Sequence, residues 1–277
     1  MQTVTTSVQK IQEVSVLLEI PNSRIIAGGT TFTPERKSGL HLVDISGLEG
    51  LDGIKQKGGR IEIGPLTTLE TMAVSPWLKT HFPALAEAAG AVEDPDIRAR
   101  GTLGGSLADP RIGDTAAALL ASGAKLTIKT GSDFREIQID RFWTPEGEND
   151  LQYDEWIFKV TLQMPKESCF GGAFGRIGAW SQSAEPAAAA AVWVSLNEKN
   201  AVSAVRGGLR MGKNKIRRMF PLEKALKNRP ADEENIAGAV SAMTAAVKGD
   251  ADEAALSGLL RDILRRACET AAERRTI

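Results

Sequence analysis

An α+β chain built from several packed units is the fold class this sequence predicts, and three observations carry it. Short runs rich in Ile, Val and Leu ("RIIAGG", "LHLVDIS", "IKQKGGRIEIG", "WIFKVTLQM", "VSAVRGGLR") are interspersed with stretches of helical periodicity. A length of 277 residues, 42% of them hydrophobic and 25% charged, suffices for two or three units with cores of their own. Two Gly-Gly pairs, Gly28-Gly29 and Gly104-Gly105, lie about 75 residues apart, where an extended ligand could be held from two sides.

The first element is a helix in "SVQKIQEVSVLLEI". Ile11, Val14 and Leu18 share one face, Ser7 is the expected N-cap, and Pro21 stops the helix after about three turns. "RIIAGG" and "LHLVDIS" then read as two strands, completing a small α/β lobe over residues 1–50. A second α/β lobe, residues 51–165, opens with a hairpin that turns at Gly58-Gly59. Thr67 is expected to cap a helix in "TLETMAVSPWL", and Pro83 to start another in "FPALAEAAGAV". Beyond them "IRARGTLGGSLADPRIGDTAAALLASGAKLTI" holds the second Gly-Gly pair, read as a loop, followed by Asp109, Pro110, Asp114 and an alanine-rich apolar run. Residues 166–277 form a smaller α/β C-terminal unit, with strand signals flanking "AEPAAAAAVWVSL". Two amphipathic stretches close it: Ile236, Val240, Met243 and Val247 share one face, as do Leu256, Leu259, Leu260, Ile263 and Leu264, and both faces are core.

Composition removes several function classes. A net charge of −1 argues against a dedicated nucleic-acid binder. No apolar run approaches the ~20 residues of a membrane span, and "MQTVTTSVQKIQEV" has neither the basic start nor the apolar core of a signal peptide. A soluble, cytoplasmic protein with no membrane partner is the expectation. Cys169 and Cys268 match no cluster spacing, so an iron–sulfur centre is not expected on this chain. His41 and His81 lack further ligands at metal-site spacing and read as surface or packing residues. The run "RMGKNKIRRMF", with Arg210, Lys213, Lys215, Arg217 and Arg218, and the basic chain end "RDILRRACETAAERR" read as a solvated face or as a docking surface for a partner.

A Gly-Gly pair lets successive backbone N–H groups approach an anion without side chains in the way, and threonine hydroxyls add donors; either pair alone is also an ordinary turn. Taken in order, "AGGTT" and "RARGTLGGSL…DP…D" resemble the FAD-binding subunit of the molybdenum hydroxylases, the xanthine dehydrogenase and carbon monoxide dehydrogenase type enzymes. "HLVDI", "RIEIGPLTTL", "FPALAEAA" and "ASGAKL" extend the resemblance along the chain. It implies the vanillyl-alcohol-oxidase-like (PCMH-type) flavin fold: two α/β lobes that clasp FAD, then a small C-terminal domain.

Carried over residue by residue, the resemblance makes Ala27, Gly28, Gly29, Thr30, Thr31 and Phe32 the first diphosphate loop, with Ile26 and Phe32 shielding the ring system or filling the core. Thr102, Gly104, Gly105 and Ser106 would approach from the other lobe, with Arg98 and Arg100 beside them as secondary phosphate partners. Asp114 resembles the family's acid near the ribityl and ribose hydroxyls; its other reading is the N-cap of the helix that follows. Two departures stand out. Only "LA" separates "GGS" from "DP", and Gly175 occupies a place where a basic residue often follows "AF", with Arg176 next to it as a substitute.

The implied function is electron transfer, in which non-covalent FAD supplies the redox chemistry and no acid–base dyad is required. Electrons would pass from [2Fe-2S] clusters on a partner through FAD to NAD+ or another acceptor. The implied partners are a small iron–sulfur subunit and a large molybdopterin-binding subunit, in a heterotrimer or its dimer. The alternatives are a self-contained FAD-dependent oxidase and a scaffold subunit that has lost FAD.

Overall fold

The computed structural model describes residues 3–30, 39–92, 94–109, 114–144, 147–178, 187–212, 215–249 and 252–275. Its first element is a strand, β1 (Val4–Ser7), built from β-branched residues that suit an extended backbone. Ser7 therefore belongs to a strand and is not a helix cap. Helix α1 (Ile11–Leu18) begins instead after Lys10, whose backbone N–H donates to Glu13 Oε2 at 3.2 Å. Its 8 residues make a little over two turns rather than three. Strands β2 (Ser23–Ile26) and β3 (His41–Asp44) follow, and the three strands form a parallel sheet in the order β1-β3-β2. His41, in the central strand, is a packing residue: its Nε2 and Nδ1 each lie 2.9 Å from a hydroxyl, of Thr6 on β1 and Ser23 on β2.

The expected hairpin is present as β4 (Ile54–Lys57) and β5 (Arg60–Ile63). Gly58 and Gly59 take φ of 55° and 76°, the left-handed region that a two-residue hairpin turn requires. Five short helices follow: α2 (Leu69–Val74), α3 (Pro76–His81), α4 (Pro83–Gly90), α5 (Pro95–Arg100) and α6 (Leu103–Ala108). Pro83 opens α4 as its fixed φ predicts. The cap of α2 is Thr68, whose Oγ1 accepts from the Thr71 N–H at 3.1 Å; the neighbouring Thr67 hydroxyl donates to the Gly53 carbonyl at 3.0 Å. Helix α7 (Asp114–Ser122) is buried along its length and leads into β6 (Lys125–Thr130), β7 (Asp133–Gln138) and β8 (Trp156–Gln163). These complete a five-stranded antiparallel sheet in the order β4-β5-β8-β6-β7.

A third sheet, antiparallel in the order β12-β11-β10-β9, consists of β9 (Phe170–Ile177), β10 (Ala188–Leu196), β11 (Val202–Met211) and β12 (Lys215–Arg218). Alanine favours helices, yet the run 188–191 is a strand because both of its faces are covered. Ala189 and Ala191 join the core of the second lobe with Leu119 and Leu120 of α7. Ala188 and Ala190 join a separate core closed by α8 (Phe220–Leu226), α9 (Glu233–Ala246) and α10 (Glu253–Glu273). The amphipathic faces of α9 and α10 are in that core as predicted, with Leu259 at its margin.

The basic residues divide: Lys215, Arg261, Arg265 and Arg275 are exposed, as a solvated face requires, while others are tied into the fold. Arg210 is wholly buried, and Arg218 bonds Glu223 at 2.8 Å and Asp140 at 3.4 Å. At the chain end, Arg274 donates to the Thr80 carbonyl at 2.6 Å with its guanidinium 4.0 Å over the Phe170 ring. Arg275 donates to the Asn197 carbonyl at 2.6 Å. These cations fasten α10 to the rest of the chain; Lys213 lies outside the described residues. Among the described residues no helix is long and apolar enough to cross a membrane.

Candidate functional site

The first glycine pair leaves the C-terminal end of β2, where parallel strands commonly present ligand loops. The two glycines are needed for different reasons. Gly29 sits at φ 66° with only Ile26 Cδ1, at 3.7 Å, near the place of a Cβ. At Gly28 a Cβ would run into the Arg100 carbonyl, because the loop lies on the backbone where α5 ends. Gly101 completes this seam: a Cβ there would stand 2.7 Å from the Ile97 carbonyl and 3.6 Å from Thr30 Oγ1. Tertiary packing thus brings the two glycine segments into contact.

Among the described residues no acceptor faces the backbone N–H of Gly28, Gly29 or Thr30. Consecutive open amides around a left-handed residue are the donors an anion needs. Ile26 and Ala27 are half-buried, and Ala27 packs on the core of the first lobe. Thr31 and Phe32 lie outside the described residues.

The second glycine pair is not a loop. Thr102 caps α6, and Gly104 and Gly105 form its first turn. The amides of residues 103–106 each have an internal acceptor. The N–H of Leu103 donates to Thr67 O at 2.9 Å, that of Gly104 to Pro65 O at 2.8 Å, that of Gly105 to Thr102 Oγ1 at 3.2 Å and that of Ser106 to Thr102 O at 2.9 Å. A Cβ at Gly104 would meet Pro65 Cβ at 3.0 Å and its carbonyl at 3.1 Å, so close packing requires this glycine. Ser106 is buried. Arg98 is committed elsewhere, to Glu70 at 2.7 Å and the Val92 carbonyl at 2.6 Å, and Arg100 contributes its backbone to the seam.

Asp114 is the first residue of α7, not its N-cap, and is only 2% exposed. Its Oδ1 accepts from Arg210 Nη2 at 3.1 Å, and Arg176 Nη1 lies 3.7 Å from Oδ2. Arg176 also donates to the Ala91 carbonyl at 2.5 Å, and Arg210 to the Gly212 carbonyl at 2.7 Å. The structure therefore joins two residues that the sequence had singled out, Asp114 and Arg176, to a third that it had placed on the surface. The signal for Arg210 was the two-residue period of β11: it shares a face with Gly208, where a Cβ would strike the Ala117 carbonyl of α7. Gly175 faces the other way, where a Cβ would come within 2.5 Å of Leu259 on α10. Asp114 Oδ2 and Thr115 Oγ1 are buried without a hydrogen-bond partner.

Two cavities, of about 200 and 320 Å³, lie away from the glycine seam, the first beside Lys79 and Glu87 and the second beside Arg265 and Cys268. Burial pushes the Cys268 thiol up to about 11. Among the described residues no group of three His, Cys, Asp or Glu side chains could hold a metal ion.

The first glycine segment, with the amides of Gly28, Gly29 and Thr30 unbonded, and the second, with its amides bonded internally, meet where the parallel-sheet and antiparallel-sheet parts of an α+β chain come together. The chain matches the family model described as the FAD binding domain in molybdopterin dehydrogenase over residues 2–165, and it belongs to that family. It is 30% identical over 146 residues to the carbon monoxide dehydrogenase medium chain of Hydrogenophaga pseudoflava, covering 51% of each chain. It is 32% identical over 148 residues to the putative xanthine dehydrogenase FAD-binding subunit of Escherichia coli (strain K12), again 51% of each. The chain thus spans about half the length of the curated relatives it matches. Among solved structures, carbon monoxide dehydrogenase from Hydrogenophaga pseudoflava superposes with a TM-score of 0.85 at 24% identity, covering 99% of this chain and 98% of that one. Quinoline 2-oxidoreductase from Pseudomonas putida 86 does so with a TM-score of 0.81, also at 24% identity and with 99% and 98% covered. At this identity the likeness establishes the fold.

Proposed function

We propose that this chain is the FAD-binding, electron-transfer subunit of a molybdopterin-dependent dehydrogenase, an oxidoreductase of several chains. The observation that carries the reading is the set of open amides at Gly28, Gly29 and Thr30, pressed against residues 100–101 of the second lobe. A diphosphate fits this place: the amides supply donors, Gly29 keeps the left-handed turn, and the Thr30 hydroxyl stands beside them. Thr31 and Phe32 would extend the loop. Gly104, Gly105 and Ser106, whose amides are already bonded, would shape the far wall by packing, with Thr102 as the cap of their helix. Asp114 would accept hydroxyls of the ribityl chain or ribose through Oδ2, with Arg176 beside it. Ile26 and Ala27 would support the loop from β2. The chain would divide into domains 1–50, 51–165 and 166–277, a division supported by three separate sheets within residues 4–44, 54–163 and 170–218.

The redox chemistry, in which electrons are collected singly and delivered singly or as a hydride, would come from the bound flavin. This chain's residues bind and orient the cofactor. The donor would be [2Fe-2S] clusters on a small partner subunit, the molybdopterin would sit on a large one, and NAD+ or another species would accept the electrons. One observation favours a second reading, a scaffold subunit without FAD: the amides of the second glycine pair are all engaged internally. An absorption spectrum of the purified chain, with and without added FAD, separates the two. Flavin bands that survive gel filtration are expected, together with iron–sulfur and molybdopterin subunits in a pull-down from native extract. A colourless chain that takes up no FAD even with those partners would overturn the proposal.

A further inference from the structure

Asp114 belongs to the second lobe, but the groups that hold it belong to the C-terminal sheet. Antiparallel register lays Arg176 of β9, Ala189 of β10 and Arg210 of β11 in one row. A longer side chain at position 189 would stand between the two guanidinium groups; with a methyl there, both reach the same carboxylate, Arg210 at 3.1 Å and Arg176 at 3.7 Å. Arg210 is wholly buried and is also tethered to the Gly212 carbonyl. A long side chain so confined has surrendered its rotamer freedom, and a buried charge is tolerated only where its partners are fixed. The carboxylate is therefore held in one orientation. That orientation gives Oδ1 to Arg210 and leaves the buried Oδ2 without a hydrogen bond, with Arg176 Nη1 3.7 Å from it. Buried polar atoms are nearly always bonded, so a carboxylate oxygen fixed in place and left without a donor points to a ligand that supplies one, such as a hydroxyl.

We infer that Arg210 is a positioning residue for the cofactor: it turns Asp114 so that Oδ2 meets a hydroxyl of the FAD ribityl chain or ribose. Cofactor retention then depends on the C-terminal sheet as well as on the two lobes, although Arg176 and Arg210 both lie outside the segment that matches the family model. The inference rests on the FAD reading proposed above. Arg210 acts through Asp114 and does not touch the ligand.

The test is FAD binding to the full-length chain, followed by flavin fluorescence, for wild type, D114N, R210M, D114N/R210M and R210K. R210M and D114N are each expected to weaken binding by about tenfold or more, the worth of one charge-assisted hydrogen bond. The double variant should bind no more weakly than the weaker single variant, because both remove the same contact, and R210K should recover part of the loss. A folded R210M that binds FAD as tightly as wild type overturns the positioning role, and so does a double variant whose losses multiply. If R210M does not fold, D114N and R210K decide: wild-type affinity in both overturns the inference. A wild-type chain that takes up no FAD refutes the cofactor reading itself, and the inference with it.

Discussion

Replacing Gly28 by alanine separates a glycine required by the protein seam from one required by the ligand. The added Cβ would fall on the Arg100 carbonyl, and the next atom it meets is the Gly101 nitrogen at 3.3 Å. Both are backbone, so no side chain can rotate aside and either the end of β2 or the end of α5 has to move. Over-packing of this kind costs about 1–3 kcal/mol, and a backbone obstacle places Gly28→Ala at the upper end. At about 2–4 °C per kcal/mol for a chain of this size, the melting temperature should fall by roughly 6–12 °C. Gly29→Ala is the control, since its Cβ would meet only Ile26 Cδ1 at 3.7 Å. Its cost is the left-handed φ alone, about 1–2 kcal/mol, and a correspondingly smaller shift. Differential scanning fluorimetry and urea midpoints on the ligand-free chain, followed by FAD titration, read both effects. Equal melting temperatures for wild type and Gly28→Ala would refute the packed seam. Unchanged stability with lost FAD binding would make Gly28 a ligand requirement instead.

Three further outcomes follow from the packing and the charges. Gly208→Ala should lower the urea midpoint, because its Cβ would strike the Ala117 carbonyl and lie 2.7 Å from Leu120 Cβ, prising α7 from the sheet; an unchanged midpoint would contradict that contact. The Arg135 guanidinium, which donates to both oxygens of Glu155 at 2.7 Å, holds that carboxyl below its ordinary value of 4.5. A lowered folded-state pKa means that the stabilisation is complete above the unfolded value and disappears as pH falls through the folded one. Glu155→Gln should therefore melt below wild type at neutral pH and converge with it in acid; a gap that ignores pH would refute the pairing. Finally, Cys268 is buried with its thiol pushed up to about 11, while Cys169 is half-buried. A thiol reagent at mildly alkaline pH should titrate one cysteine in the native chain and two after unfolding.

Much of the fold was legible because local chemistry acts over a few residues. Gly58-Gly59 between alternating runs could only turn, Pro83 could only begin a helix, and the apolar spacing of α9 and α10 left one face for the core. Strand β1 escaped notice because it is four residues long and mostly exposed, so no alternation marks it. The alanine run of β10 gave a misleading local preference, and burial on both faces overrode it. The first glycine loop was placed correctly at the end of a strand. The second was not a loop, because contact with Pro65 and the Thr102 cap draws the same dipeptide into a helical turn.

By itself, then, the sequence determined several strands and the Gly58-Gly59 turn, the apolar faces of α9 and α10, the family over residues 2–165 and one acid and one base, Asp114 and Arg176, that the structure brings together. Tertiary structure alone decided which glycine pair keeps its amides open and which residues surround Asp114. The physical reason is range. A turn or a cap is set by neighbours along the chain, whereas the carboxylate of Asp114 is bonded by an arginine 96 residues away, carried to it by sheet register and by the small side chain of Ala189 between two guanidinium groups.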